Sequence, residues 1–171
     1  MKKLMTLSLA LLMLVCTLTA CGESKTEETP STIPNPMVES DAEGVKQALG
    51  FELAVPEGAE NVHYFIISDE MEELHFTLDG LDYVARLKAS AEFEDISGMY
   101  YEWTDTQEDN IGSCLYKFMR YCGDEGDVEL CLWYDAAPGL MYSLSTSDSS
   151  LDGFDITAIA RQVYAPMQKN S

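Results

Sequence analysis

From Val62 to Leu87 apolar and polar residues alternate, and turn chemistry interrupts the alternation twice. Val62, Tyr64 and Ile66 come first. Leu74, Phe76 and Leu78 follow the polar run Ser68-Asp69-Glu70, and Leu81, Tyr83, Ala85 and Leu87 follow Asp79-Gly80. A period of two puts every apolar side chain on one face of an extended strand, which the period of a helix cannot do. Asp-Gly readily supplies the two positive φ angles of a tight hairpin turn. The pattern predicts three antiparallel strands in a meander with one apolar face, the other carrying His63, Glu73, His75, Asp82 and Arg86. With Ile67 paired to Met71 across the first turn, His63 falls opposite His75, and the Asp79-Gly80 turn sets Glu73 against Arg86.

A second hairpin is expected from Ser113 to Tyr121, through Gly123-Asp124-Glu125-Gly126, and back from Val128 to Tyr134. It is apolar on both faces: Leu115, Met119, Tyr121, Val128, Leu130 and Leu132 on one, Tyr116, Phe118, Cys131 and Trp133 on the other. Such a pair is either central, with layers over both faces, or leaves an aromatic surface open to a partner. Pro138-Gly139 leads to a last strand, Leu140 to Ser145. Helices are expected at the ends. Ser40 caps one over Asp41 to Leu49, with Glu43 as capping-box partner and Gly50 as stop. Phe51 to Val55 reads as a short strand ended by Pro56-Glu57-Gly58, and Asp155 caps a final helix over Ile156 to Tyr164. Strands in the middle and helices at the ends indicate an α+β fold. The expectation is one domain over residues 41–166, an antiparallel sheet of about six strands with both helices packed on it, and a flexible tail over 167–171.

The first twenty residues read as an export signal. Lys2 and Lys3 precede an apolar run from Leu4 to Leu18 that is shorter than a comfortable membrane span, and Leu18-Thr19-Ala20-Cys21 follows. That tetrapeptide resembles the lipobox of bacterial lipoproteins, which implies cleavage before Cys21, a diacylglyceryl-type lipid on its thiol, and anchoring to the outer face of the cytoplasmic membrane. The competing reading is an ordinary secretory signal with a coincidental cysteine. Residues 21–40, rich in Glu, Ser, Thr and Pro, bury too little apolar surface to order themselves and read as a tether. Extended, it would reach roughly 60 Å.

The formal charge of −20 becomes −22 once residues 1–20, with Lys2 and Lys3, are removed. Charge of that sign repels phosphate backbones, which excludes nucleic acid as a partner. It also disfavours contact of the folded body with anionic lipid. Solubility and calcium-rich surroundings are the plainer explanations of the charge, and attraction of cationic peptides or proteins is the sharper one.

Several residue groups are candidates for chemistry. His63 and His75 across adjacent strands, with Glu73 beside them, are residue types that hold a transition metal, although a solvated sheet face with Glu73 paired to Arg86 accounts for them more simply. Asp148, Ser150, Asp152 and Gly153 begin like a calcium loop, but Ile159 stands where a bidentate Glu is needed, so a turn-and-cap cluster is the plainer reading. Asp105 to Asn110 is acidic and reads as a loop. Cys114, Cys122 and Cys131 remain after processing. The Gly123–Gly126 turn sets Cys122 opposite Asp127 and Phe118 opposite Cys131, which separates Cys122 from Cys131 by about 13 Å, too far for a disulfide, and the same reasoning separates Cys114, so thiols are the expectation. No local signature supports a Cys-His nucleophile. Tyr100, Tyr101 and Trp103 fall in an expected loop, where they and the acidic segment after them would form a binding edge.

The order of features resembles a domain of unknown function found in Gram-positive exported lipoproteins and on the outer ends of some anti-sigma-factor proteins. The residues that carry the resemblance begin with the early helix, Val55-Pro56-Glu57-Gly58 and the hairpin from Asp79 to Arg86. It continues in Trp133-Tyr134, leading through Gly139 to Tyr142-Ser143-Leu144 and an acid-capped helix, so that most of residues 45–165 is covered. The resemblance implies an envelope sensing, binding or interaction module with no catalytic residues to carry over and no cofactor beyond the lipid. The first expectation is therefore a non-enzymatic, lipid-anchored module for a protein, peptide or small ligand. The alternatives are an envelope metal-dependent or hydrolytic enzyme using His63 and His75, for which no nucleophile-elbow or zinc-protease motif is present, and an acidic inhibitor or decoy of cationic proteins.

Overall fold

A computed structural model describes residues 36–111 and 114–164. The signal segment, Cys21, most of the tether and the tail at 167–171 lie outside the described residues. Eight strands form one antiparallel sheet: β1 (Met37–Ser40), β2 (Glu60–Ile67), β3 (Met71–Leu78), β4 (Leu81–Ala89), β5 (Asp105–Ile111), β6 (Cys114–Gly123), β7 (Gly126–Asp135) and β8 (Leu140–Asp148). Among the described residues two helices accompany them, α1 (Ala42–Leu49) and α2 (Ile156–Val163). The fold is α+β, and none of its helices among the described residues is long and apolar enough to cross a membrane.

Across the sheet the order is β1, β2, β3, β4, β8, β7, β6, β5. The chain runs up one meander to β4, crosses to the far edge, and returns through a second meander that closes against β4. The registers inferred from the sequence are present: Ile67 opposite Met71, His63 opposite His75, Glu73 opposite Arg86, Phe118 opposite Cys131 and Cys122 opposite Asp127. Asp79 and Gly80 have φ of 52° and 84°, as a primed turn requires. In the second hairpin Gly126 has φ of 127°, and a Cβ there would stand 2.7 Å from the Asp148 carbonyl oxygen, so only glycine fits.

Both faces of the central strands are covered. On one, Leu74, Phe76, Tyr83, Leu87, Cys131, Trp133, Tyr142 and Leu144 pack against Ile156, Ala160 and Val163 of α2 and against Leu53. On the other, Met119, Leu130, Leu132 and Met141 are roofed by Phe93, Ile96, Met99 and Trp103 from the β4–β5 crossover. In the doubly apolar hairpin β7 is thus interior, while β6, next to the edge, is half-buried along most of its length with Leu115 exposed.

The sheet has eight strands where about six were expected, and the two that escaped the sequence reading are its edges. Met37–Ser40, expected as the end of the tether, pairs with β2, with Val38 opposite Ile66 and Ser40 opposite Tyr64. Asp105–Ile111, expected as a loop, pairs along its length with β6. Edge strands need no apolar face, so neither shows alternation. Conversely, Phe51 to Val55 is not a strand. The Leu53 N–H donates to Glu72 Oε2 at 2.8 Å and the Ala54 N–H to the Val163 carbonyl at 3.0 Å, so its donors are spent on tertiary bonds. Helix α1 is capped by Asp41 rather than Ser40: Asp41 Oδ1 accepts the Gly44 N–H at 2.7 Å, while Ser40 belongs to β1.

Candidate binding edge

Among the described residues strand β5 bonds to β6 on one side only, and its six residues from Asp105 to Asn110 are all exposed. The Arg120 carbonyl accepts the Thr104 N–H at 2.8 Å, so Arg120 and alternate residues of β6 turn their backbone groups toward β5. Their partners Asp105, Gln107 and Asp109 point inward to the ladder, leaving the N–H and C=O groups of Thr106 and Glu108 facing out. Asn110 fits this alternation, since its N–H is taken by its neighbour, Asp109 Oδ1, at 2.7 Å.

The aromatic residues singled out from the sequence lie just ahead of this strand. Tyr100 is 97% exposed and Tyr101 42%, while Trp103 is half-buried against the crossover core. Tyr101 packs on Trp103 and Tyr121, with ring centroids 5.4 and 5.0 Å apart. Tyr101 is therefore held by its neighbours, and Tyr100 projects from a fixed base. Asp105 Oδ2 accepts from Gln107 Nε2 at 3.1 Å and Glu108 pairs with Lys117 at 3.1 Å. No cation among the described residues meets Asp105 or Asp109, because the guanidinium of Arg120, which pairs across from Asp105, is engaged by Asp127, Glu129 and Asp152.

His63 and His75 are brought opposite one another, but their carboxylate neighbour is committed. Glu73 Oε1 lies 2.7 Å from His75 Nε2, and Glu73 Oε2 accepts from Arg86 Nε at 2.6 Å. Arg86 Nη1 goes on to donate to the carbonyls of Ile96 and Ser97 at 3.0 and 2.6 Å, fastening the crossover to the sheet. His63 Nδ1 stands 3.7 Å from Glu39 Oε1 of β1. The arrangement is a carboxylate bridge that locks a loop, and no group of three or more metal-ligating side chains occurs among the described residues.

The side chains of Asp148 and Ser150 serve the backbone around them, and that of Asp152 pairs with Arg120. Asp148 Oδ1 accepts the Ser149 N–H at 2.6 Å, Ser150 Oγ accepts the Asp152 N–H at 3.4 Å, and Asp152 reaches Arg120 at 3.5 Å. Cys122 and Cys131 carry free thiols, and all three cysteines of the domain lie on the α2-side face, opposite the histidines, which separates any Cys-His pair. Burial holds the Cys131 thiol well above its ordinary pKa.

Three carboxylates that the sequence reading passed over are buried on the α2-side face: Glu72, Glu129 and Asp135. Glu72 accepts the Leu53 N–H and Glu129 accepts the Ile156 N–H at the start of α2 at 3.2 Å. The Tyr164 hydroxyl donates to Asp135 at 2.5 Å. Burial raises the Glu72 carboxyl to about 7, against the counter-effect of the Leu53 N–H and with a smaller push from Glu52. The signal was available, since extending the alternation of Leu74 and Cys131 by one step places both glutamates among apolar neighbours.

No family model, curated protein or solved structure matches the chain.

Proposed function

We propose that this chain is an exported lipoprotein, held at the outer face of the cytoplasmic membrane through lipidated Cys21, whose domain is a non-enzymatic binding module. The observation that carries the binding role is that β5, an open edge among the described residues and exposed from Asp105 to Asn110, follows the exposed Tyr100 and Tyr101. Exposed aromatic rings fixed by packing are favoured anchors of protein interfaces, because little side-chain entropy is lost on binding. The anchoring half of the reading rests on the sequence around Cys21 and on the resemblance to Gram-positive exported lipoproteins. The alternative of a metal-dependent or hydrolytic enzyme built on His63 and His75 has less support, because both oxygens of Glu73 are engaged.

The test is photo-crosslinking in cells. A photoreactive residue at position 100 is expected to give discrete adducts, and one at exposed Glu43 on α1 to give none. Equal labelling at both positions, or none at either, contradicts the reading. Membrane fractionation of Cys21→Ser checks the anchor: loss of membrane association is expected, and unchanged association contradicts it.

A further inference from the structure

Resting on that reading, we infer that β5 takes up an extended cationic peptide as a ninth strand, with Lys or Arg at alternate positions facing Asp105 and Asp109. The outward N–H and C=O groups of Thr106 and Glu108 supply the ladder for such an addition. Asp105, Gln107 and Asp109 share one face of the strand by its period of two. A peptide lying alongside presents every second side chain to that row, at the short cross-strand spacing where opposite charges attract and like charges repel. Both aspartates lack a cationic partner among the described residues, so that row has unbalanced negative charge. On the other face Glu108 is neutralised by Lys117, and Leu115 of β6 is partly exposed, so the intervening peptide positions are met by a less charged surface. Tyr100 and Tyr101, both exposed, precede the strand in the chain.

Charge also decides against the other occupants of an open edge. A second copy of this chain would bring the same aspartates and a formal charge of −20 against the first. Strand β1, the other edge, offers only four residues. Acidic residues on an edge also guard against aggregation, and a purely protective role is one of the outcomes the experiment separates.

The probe is a short end-capped peptide alternating Lys and Val, titrated calorimetrically into the full lipoprotein in detergent. Two control peptides accompany it: one of the same composition with its lysines in a block, and the alternating peptide N-methylated at every second amide on the ladder side. The alternating peptide is expected to bind with an affinity that falls as salt rises. Blocking the lysines, N-methylating the peptide, or Thr106→Pro in the protein is each expected to weaken it by about tenfold or more. Asp105→Asn with Asp109→Asn is expected to weaken it similarly and to flatten the salt dependence. Binding that ignores N-methylation would overturn strand addition and leave charge alone, and binding equal for blocked and alternating peptides would overturn the alternating register. No binding of any peptide, with adducts still forming at position 100, overturns this inference while the binding edge stands. No binding and no adducts overturn both, leaving the acidic edge as a guard against self-association.

Discussion

Arg86 of β4 lies directly opposite Glu73 of β3, its Nε 2.6 Å from Glu73 Oε2, and the same guanidinium grips the crossover through the Ile96 and Ser97 carbonyls. One ion pair therefore couples the meander to the loop that carries Tyr100, Tyr101 and Trp103, so the geometry of the binding edge depends on a contact at the other side of the sheet.

Because Glu73 is almost wholly buried, removing its partner leaves an uncompensated charge. Arg86→Met is expected to lower stability by about 3 kcal/mol and to raise hydrogen exchange across residues 93–103. Urea unfolding and exchange mass spectrometry measure the two effects. A loss of stability without loosening of the crossover would contradict the fastening role.

Glu72 gives the domain a pH dependence of opposite sign to the usual carboxylate. Its carboxyl is raised from 4.5 to about 7 by burial, so the folded chain holds this proton more tightly than the unfolded one. The contribution is fully present below about pH 4.5 and is lost as pH rises through about 7. Glu72→Gln keeps an oxygen for the Leu53 N–H and carries no charge. It is expected to be more stable than the parent at pH 8, by about 3 kcal/mol at most, and to converge with it at pH 4. Equal stability at both pH values would contradict this.

Both Glu73 oxygens are engaged, and among the described residues no group of three or more metal-ligating side chains forms around the histidine pair. Calorimetric titration of zinc is expected to give no saturable heat, in the parent and in His63→Ala alike. A saturable heat abolished by His63→Ala would restore the metal reading.

Thiol reactivity should follow exposure. Cys122 is exposed, whereas Cys131 is fully buried with its pKa raised. Native alkylation is expected to modify Cys122 rapidly and to spare Cys131 until denaturant is added. Rapid native labelling of Cys131 would show that the α2-side core opens.

The interior of this fold was legible in the sequence, whereas its boundary was not. Period-two alternation with Asp79-Gly80 gave the meander and its registers, because one buried face leaves a single pairing that hides every apolar residue. The edges β1 and β5 carry polar residues on both faces and owe their conformation to a neighbour far along the chain, so nothing local marked them. Phe51 to Val55 failed for the converse reason: an apolar run looked like a strand, but a buried glutamate and the end of α2 claimed its donors. At the candidate site, Tyr100, Tyr101 and Trp103 could be named from the sequence. The open ladder beside them could not, since it follows from β5 being last in the sheet.

The most direct measurement is amide hydrogen exchange at Thr106 and Glu108 with and without the alternating Lys-Val peptide. Strand addition predicts that both amides become protected on binding, while Gln107, already bonded to β6, changes little. Binding that leaves Thr106 and Glu108 exchanging as in the free protein would contradict the account.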